Sequence, residues 1–456
     1  MRLLVAPGSS LSGELSVPGD KSVSHRWLIL SSTARGASQI HGLPQSLDVR
    51  ATAACLAAVA PAARPALEAW SRNGGPAREP GGSTWNDGTP RGGTARLDLQ
   101  GEGREQLHLP QADLDCANSG TTMRLLAGLL AGLPLNAVLV GDASLSARPM
   151  ERVAEPLRQM GASVATVDGH APITISGGRL RGITYRGPVP TAQVKSAVLF
   201  AGLGAEGVTI VEEAAATRDH TERALRALGA PISIEGTTIR LESFQHGGFQ
   251  GHVPGDPSSA AFIVAAAALT GSEVTIRGVG LNPSRLHFLK VMARMGVRTE
   301  ARVDHDSMGE PVGDLWVAPA STITATTVTP DEVPLIVDEI PVLAAMAVHA
   351  PGDSWFLGAG ELQVKESNRL AGTAGGLRAL GGSAGAEGED LVIAGGGLRG
   401  GSVHAGSDHR MAMAFAIAAL AADGPCAIED IEAADVSFPG FADALVGLGA
   451  RVEVGA

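Results

Sequence analysis

At 456 residues, with 44% hydrophobic and 18% charged residues, the chain can bury two cores; a single core rarely grows past about 250–300 residues. A formal net charge of −12 excludes a broad nucleic-acid surface, so any anion site must be a local concentration of cations. No run approaches the ~18–20 apolar residues of a membrane span, and Cys55, Cys116 and Cys426 stand far apart without CxxC spacing, so a soluble, cytoplasmic, metal-free protein is expected.

Read in chain order, the first signal is VPGD at 17–20, which leads into KSVSHR. There Ser22 and Arg26 are four apart and share one helix face, with Lys21 beside the opening turn. The opening segment MRLLVAPGSSLSG is too short in its apolar run for a signal peptide. A worn copy of a recurring helix end, LAAVAP, follows at 56–61. The good copies are LRQMGA (157–162), LRALGA (225–230), MARMGV (292–297), LRALGG (377–382) and LVGLGA (445–450). Each glycine suits a left-handed helix C-terminus, and segments such as PISIEGTTIRLES after it alternate like half-buried strands. The repeat implies a supersecondary unit used six times, three before about residue 253 and three after it. The stretch 72–96, rich in Gly, Pro and Arg and without apolar periodicity, reads as a flexible insertion.

A second VPGD at 253–256 again opens a helix. The predicted architecture is therefore two similar α/β domains, residues 20–253 and residues 1–19 plus 254–456, joined by two short crossings. The unusual polar residues sit in the first turns of apolar helices: GDKSVSHR, NSGTTMR, PTAQVKSA, VDEIPVL, VKESNR and SDHRMA. Helix N-termini present free N–H groups and partial positive charge, which suits phosphate and carboxylate. Asp20, Asn118, Thr191, Asp338 and Asp408 could all be ordinary N-caps. That reading does not explain Lys21, Arg26, Arg124, Lys195, Lys365, Arg369 and Arg410 recurring just inside. Only four lysines occur (Lys21, Lys195, Lys290, Lys365), and three fall in these motifs. Lys365 and Arg369, four apart, have the spacing for a two-pronged grip on an anion, with Glu366 held ionised between them. Asp338 is either a cap or a general base.

Ten segments together resemble the EPSP synthase family, nearly end to end: VPGDKSVSHR, LDCANSGTTMRLLAGLLAG, LSARPMERVAEPLRQMGA, PVPTAQVKSAVLFAGL, TRDHTERALRALGA, GDPSSAAFIVAAAAL, VDEIPVLAAMA, ELQVKESNRL, SDHRMAMAFAIAAL and SFPGF. Only the 61–110 region lacks a clear counterpart. The resemblance implies an α/β fold of two similar domains, each of three βαβαββ units, an inside-out α/β barrel of the enolpyruvyl transferase type, closing on substrate by a hinge. It implies transfer of the carboxyvinyl group of phosphoenolpyruvate to shikimate 3-phosphate through a tetrahedral adduct, without metal or organic cofactor. It also implies small-molecule substrates as the only partners, with no nucleic acid and no membrane; the expected state is a monomer. By matching positions, Lys21, Ser22, Arg26, Thr191, Gln193, Asp338 and Lys365 are the implied shikimate 3-phosphate contacts, with Ala192 offering backbone only. Lys21, Gly120, Arg148, Gln193, Arg369 and Arg410 are the implied phosphoenolpyruvate contacts. Asp338 is the implied base, Glu366 the group handling the methylene proton, and Lys21 an aid to phosphate departure.

The chain departs from the family pattern at three places. Thr191 stands for a common serine, Val436 for a lysine that contacts phosphoenolpyruvate, and His220 for a tyrosine near the shikimate ring, which puts Arg218 and His220 in question. Three other readings compete. The enolpyruvyl transferase that acts on UDP-N-acetylglucosamine opens with K-N and carries a loop cysteine, for which Cys116 is the nearest candidate. A non-catalytic phosphometabolite sensor would not need Asp338, Glu366 and Lys21 together. A relative of RNA 3′-phosphate cyclases would need a basic surface.

Overall fold

The computed structural model describes residues 1–73, 96–320 and 322–455. Of the expected insertion, residues 74–95 lie outside the described residues, and 72 and 73 close the helix Arg64–Asn73.

Six small sheets make up the β structure among the described residues, and they repeat one pattern. In five of them, one parallel pair is followed by two antiparallel pairings. Leu114–Asp115 lies parallel to Asn136–Val140, then His170–Ser176 and Ser163–Val167 add antiparallel. The same order recurs from Thr184–Arg186 to Ile232–Glu235 and from Thr327–Val328 to Ser383–Glu387. Two sheets are closed by the start of the chain: Ser12–Ser16 lies parallel to Glu273–Gly280, and Arg2–Val5 sits between Cys426–Glu429 and Val452–Gly455. The sixth sheet has three strands, with Gln250–His252 parallel to Arg35–His41.

The five good helix-end copies behave as the sequence predicts. Gly161, Gly229, Gly296, Gly381 and Gly449 all have φ between 84° and 110°. In each, the residue after the glycine donates its N–H back to the carbonyl five positions earlier, as in Ala162 to Leu157 at 3.1 Å and Ala450 to Leu445 at 2.9 Å. This closure satisfies the last helix carbonyls and turns the chain into the next strand. The worn copy has no glycine. Its helix stops at Val59, and the chain enters the helix Arg64–Asn73 instead of a strand.

These helices are half-buried, whereas a second set is enclosed by protein on every side. Pro257–Leu269, Ile340–Ala347 and His409–Ala419 form the centre of one core, and Lys21–Thr33, Gly120–Ala131 and Ala192–Gly202 that of the other. One buried cluster draws on residues 23–253; the other draws on 3–17 together with 260–450. Glycine lets two central helices touch backbone to backbone, since a Cβ on Gly128 would lie 2.1 Å from the Ala197 carbonyl oxygen. That contact brings the tips Gly120 and Gln193 side by side.

The two VPGD segments pair with each other where the chain passes between the clusters. Asp20 N–H donates to the Pro254 carbonyl (2.7 Å) and Asp256 N–H to the Pro18 carbonyl (2.8 Å), around an antiparallel bridge of Gly19 and Gly255. A Cβ on Gly19 would meet the Gly42 carbonyl oxygen at 2.0 Å, so no larger residue fits there without moving backbone. No helix among the described residues is long and apolar enough to cross a membrane.

Candidate active site

Between the two halves lies a cleft of about 400 Å³ onto which the polar helix tips converge. Its walls hold Lys21, Ser22, Gly120, Arg148, Thr191, Ala192, Gln193, Asp338, Lys365, Glu366 and Arg410, all singled out from the sequence. The capping explains some of them. Asp20 and Asp408 cap their helices through their carboxylates, accepting from Val23 N–H (2.9 Å) and Arg410 N–H (3.0 Å). Thr191 is an N-cap by position but makes no side-chain cap bond. Asn118 is not a cap; Ser119 is. Asp338 is not a cap either, because the helix Ile340–Ala347 starts two residues later with Glu339 at its N-cap. Its carboxylate is therefore free to face the cleft.

Asp338 is ringed by cations. Arg218 Nη2 lies 2.7 Å from its Oδ2, Arg369 Nη1 lies 3.6 Å from Oδ1, and Arg410 donates to its backbone carbonyl at 2.9 Å. Burial would push this carboxyl up, but Arg410, Arg218, Lys365 and Arg369 outweigh it and hold Asp338 well below the usual carboxylate range. Glu366 follows the same logic. Burial opposes its charge, and the cations Arg369, Arg148 and Lys21 overcome it. Arg369 Nη2 approaches Glu366 Oε2 to 2.6 Å, an ion contact whose angle does not make a hydrogen bond. Lys21 donates to Asp48 at 2.7 Å, and Gln193 joins Arg124 to the Thr121 hydroxyl. A Cβ on Gly120 would meet the guanidinium of Arg124 at 2.8 Å and that of Arg148 at 3.4 Å, so the glycine keeps space beneath both.

Two residues assigned to substrate from the sequence stand behind the walls. Arg26 does not line the cleft; it donates to the Ser22 carbonyl (2.7 Å), Ser196 Oγ (2.8 Å) and Thr221 Oγ1 (2.7 Å). Burial pulls its pKa down to about 10, against the pull of Glu222, Asp20 and Glu310. Arg369 is also absent from the lining and donates to the Asp408 carboxylate at 2.8 Å. The spacing of Lys365 and Arg369 does not make a shared helix face. Lys365 is extended after the short turn Gly360–Val364, and the next helix begins at Arg369. Lys195 turns away altogether, its ammonium 2.7 Å from both Glu213 and Glu222 in the interior.

Arg152, Arg285, Asp48, Glu361 and His409 line the cleft without having been assigned a role from the sequence. Burial, with Lys21, Arg369 and Arg410 nearby, pushes His409 down to about 3, so its ring is neutral at physiological pH, and its Nε2 has no hydrogen-bond partner. Arg218 lines the cleft, whereas His220 is buried against Glu310 and does not. Val436 is not in the wall. Cys116 is fully buried, its thiol pushed well above the usual range by the neighbouring Cys55 and by burial, so it offers no nucleophile to the cleft. Among the described residues no group of three or more His, Cys, Asp or Glu is arranged to hold a metal ion.

The family model for EPSP synthase (3-phosphoshikimate 1-carboxyvinyltransferase) matches residues 5–66 and 94–445. The chain belongs to the EPSP synthase family. Relatives called 3-phosphoshikimate 1-carboxyvinyltransferase include that of Halorhodospira halophila, 46% identical over 99% of this chain and 96% of its own length. The Thermus thermophilus protein is 46% identical with 96% of each covered, and that of Acidithiobacillus ferrooxidans is 44% identical with the same cover. The solved EPSP synthase of Acinetobacter baumannii superposes with a TM-score of 0.81 at 36% identity over the whole of both chains. The enolpyruvyl transferase NikO of Streptomyces tendae, at 19% identity, shares the fold with a TM-score of 0.72 over 99% of this chain and 98% of its own. The enolpyruvyl transferase architecture expected from the sequence is therefore the fold of this EPSP synthase family member.

Proposed function

We propose that the cleft transfers the enolpyruvyl group of phosphoenolpyruvate to the 5-hydroxyl of shikimate 3-phosphate, giving 5-enolpyruvylshikimate 3-phosphate and phosphate. The observation that carries this reading is the meeting of Lys21, Arg148, Lys365 and Arg410 with two ionised carboxylates, Asp338 and Glu366, in one cleft of an acidic EPSP synthase family member. Cations there offset substrate phosphates and carboxylates, and the carboxylates supply proton transfer.

Shikimate 3-phosphate is taken by Lys21, Ser22, Thr191, Gln193, Asp338 and Lys365, and phosphoenolpyruvate by Lys21, Gly120, Arg148, Gln193 and Arg410. Arg26 serves the first substrate and Arg369 the second with guanidiniums already engaged by protein oxygens. Asp338 accepts the 5-hydroxyl proton as that oxygen bonds to C2 of phosphoenolpyruvate, while a proton adds to C3. The tetrahedral adduct then loses a C3 proton and phosphate, with Lys21 easing departure of the phosphate. Glu366 gives and retakes the C3 proton. Arg369, Arg148 and Lys21 hold its pKa down, and an incoming dianion that shares those cations raises it. Proton donation is thereby tied to occupancy of the site.

Residues 20–253 and 1–19 with 254–456 are the two bodies that close, hinged at the paired VPGD segments. Closure excludes water and strengthens each charge contact. We take the protein to work as a cytoplasmic monomer on these small molecules, needing no cofactor and with neither nucleic acid nor membrane as a partner. Phosphate release with each candidate acceptor tests the reaction. Shikimate 3-phosphate should support stoichiometric release from phosphoenolpyruvate and UDP-N-acetylglucosamine none; the reverse pattern would overturn the reading.

A further inference from the structure

The duplicated VPGD has a use that its duplication alone does not explain. Each copy ends in an aspartate that caps a central helix, Asp20 through Val23 N–H (2.9 Å) and Asp256 through Ser258 N–H (2.8 Å). A single guanidinium holds both. Arg285, at the end of the short turn Pro283–Arg285, donates from Nη1 to Asp20 Oδ2 at 2.6 Å. From Nη2 it reaches Asp256 Oδ1 at 3.0 Å and Ser258 Oγ at 2.7 Å. Nη1 also lies 3.2 Å from His220 Nε2, and the other ring nitrogen of His220 lies 2.8 Å from Glu310. The Arg285 side chain is only 2% exposed, and so is that of Asp20.

From this node the contacts run both ways. Asp20 precedes Lys21 and Ser22 in the chain and anchors the first turn that carries them. Ser258 Oγ donates to Glu339, the neighbour of Asp338. An unbroken path of direct contacts thus joins the Lys21–Ser22 tip, which belongs to one core, to the Asp338 segment, which belongs to the other. A planar fork suits this place because it grips two carboxylates at a fixed angle, which a lysine ammonium on a flexible stem does not. Two buried carboxylates so close together also need a cation between them.

We propose that Arg285 is a positioning residue for the transfer reaction, holding the Lys21–Ser22 helix tip and the Asp338 segment in register across the two crossings. The proposal rests on the roles given above to Lys21 and Asp338. A purely structural arginine would lower stability when replaced and leave the turnover of the folded molecules intact; a positioning arginine alters turnover itself.

The test uses the full chain with Arg285→Lys, Arg285→Gln and Asp256→Asn, the last of which leaves the Asp20–Arg285 pair in place. For each variant, thermal melting, calorimetric binding of shikimate 3-phosphate and steady-state phosphate release are measured. In folded Arg285→Lys and Arg285→Gln, kcat should fall about 100-fold, as for a displacement near 1 Å at the reacting centre. The dissociation constant for shikimate 3-phosphate should move less than about fivefold, because each wall keeps its own contacts. Asp256→Asn should lose about tenfold in kcat and carries the test should both Arg285 variants fail to fold. Combined with Arg285→Lys it should cost no more than the larger single loss, because both changes cut one path. Wild-type kcat in any folded variant, or losses that multiply in the double variant, would overturn the proposal. Absence of turnover in the unsubstituted chain would instead overturn the proposed function.

Discussion

The two walls of the cleft differ in charge. The wall from residues 20–253 brings five cations (Lys21, Arg124, Arg148, Arg152 and Arg218) and one carboxylate, Asp48. The opposite wall brings three cations (Arg285, Lys365 and Arg410) and five carboxylates (Asp256, Asp338, Glu361, Glu366 and Glu389). The walls therefore attract each other. Arg218 meets Asp338 at 2.7 Å, Arg152 meets Glu361 at 3.2 Å, and Arg148 faces Glu366 at 3.7 Å. The difference suggests a division of labour: the first wall supplies most of the cations for substrate anions, and the second, besides Lys365 and Arg410, supplies the carboxylates proposed to move protons. On the proposed roles, substrate phosphates would compete with the second wall's carboxylates for the first wall's cations and so couple binding to the protonation of Glu366.

The sharpest way to break this division is to neutralise the base. Asp338→Asn should cut kcat by roughly 10²–10⁴-fold while leaving affinity for shikimate 3-phosphate near that of the parent, as expected for a general base. Near-normal turnover would remove Asp338 from the chemistry. The next test contrasts two lysines of the first half. Lys21→Met should lower kcat/KM by roughly 10–100-fold, the worth of a charge-assisted hydrogen bond. Lys195→Met should leave the kinetics of the folded enzyme alone. It strands Glu213 and Glu222 in the interior and should cost about 3–5 kcal/mol in denaturant unfolding.

A third test reads the electrostatics across the cleft. As the proposed base, Asp338 must act ionised, and it sits well below the usual carboxylate range, so the acid limb of kcat/KM that it would set is expected below the ordinary aspartate pKa of about 3.9. Arg218→Met removes one of the charges holding it down and should move that limb to higher pH relative to the parent. No movement would show that Arg218 does not govern Asp338. The same carboxylate contributes stability that is present above the unfolded-state pKa and lost as pH falls through the folded one. The smallest effect is expected at the partly exposed Arg152–Glu361 pair, where Glu361→Gln should change kcat/KM less than about fivefold.

Much of this layout was legible in the sequence because it depends on local chemistry. The helix-end glycines announce a left-handed residue that few others adopt, and all five good copies use it. Polar first turns on otherwise apolar helices have few reasons to exist, and those turns do line the cleft. What escaped depends on direction within a turn or on partners far along the chain. Gln193 faces the cleft and Lys195, two residues on, faces Glu213 and Glu222, because positions two apart on a helix point to different sides. The four-residue spacing of Lys365 and Arg369 would suit one helix face, yet a 3₁₀ turn ends before the helix begins. Arg285 sits in NPSR with no flanking motif, and its partners are 265 and 29 residues away, so nothing local marks it.

The most direct measurement is a crystal structure of the chain with shikimate 3-phosphate and phosphoenolpyruvate bound. Phosphate and carboxylate groups are expected on Lys21, Arg148 and Arg410, with the Asp338 carboxylate at about 3 Å from the 5-hydroxyl. Substrate bound away from these cations, or Asp338 turned from that hydroxyl with no water between, would contradict it.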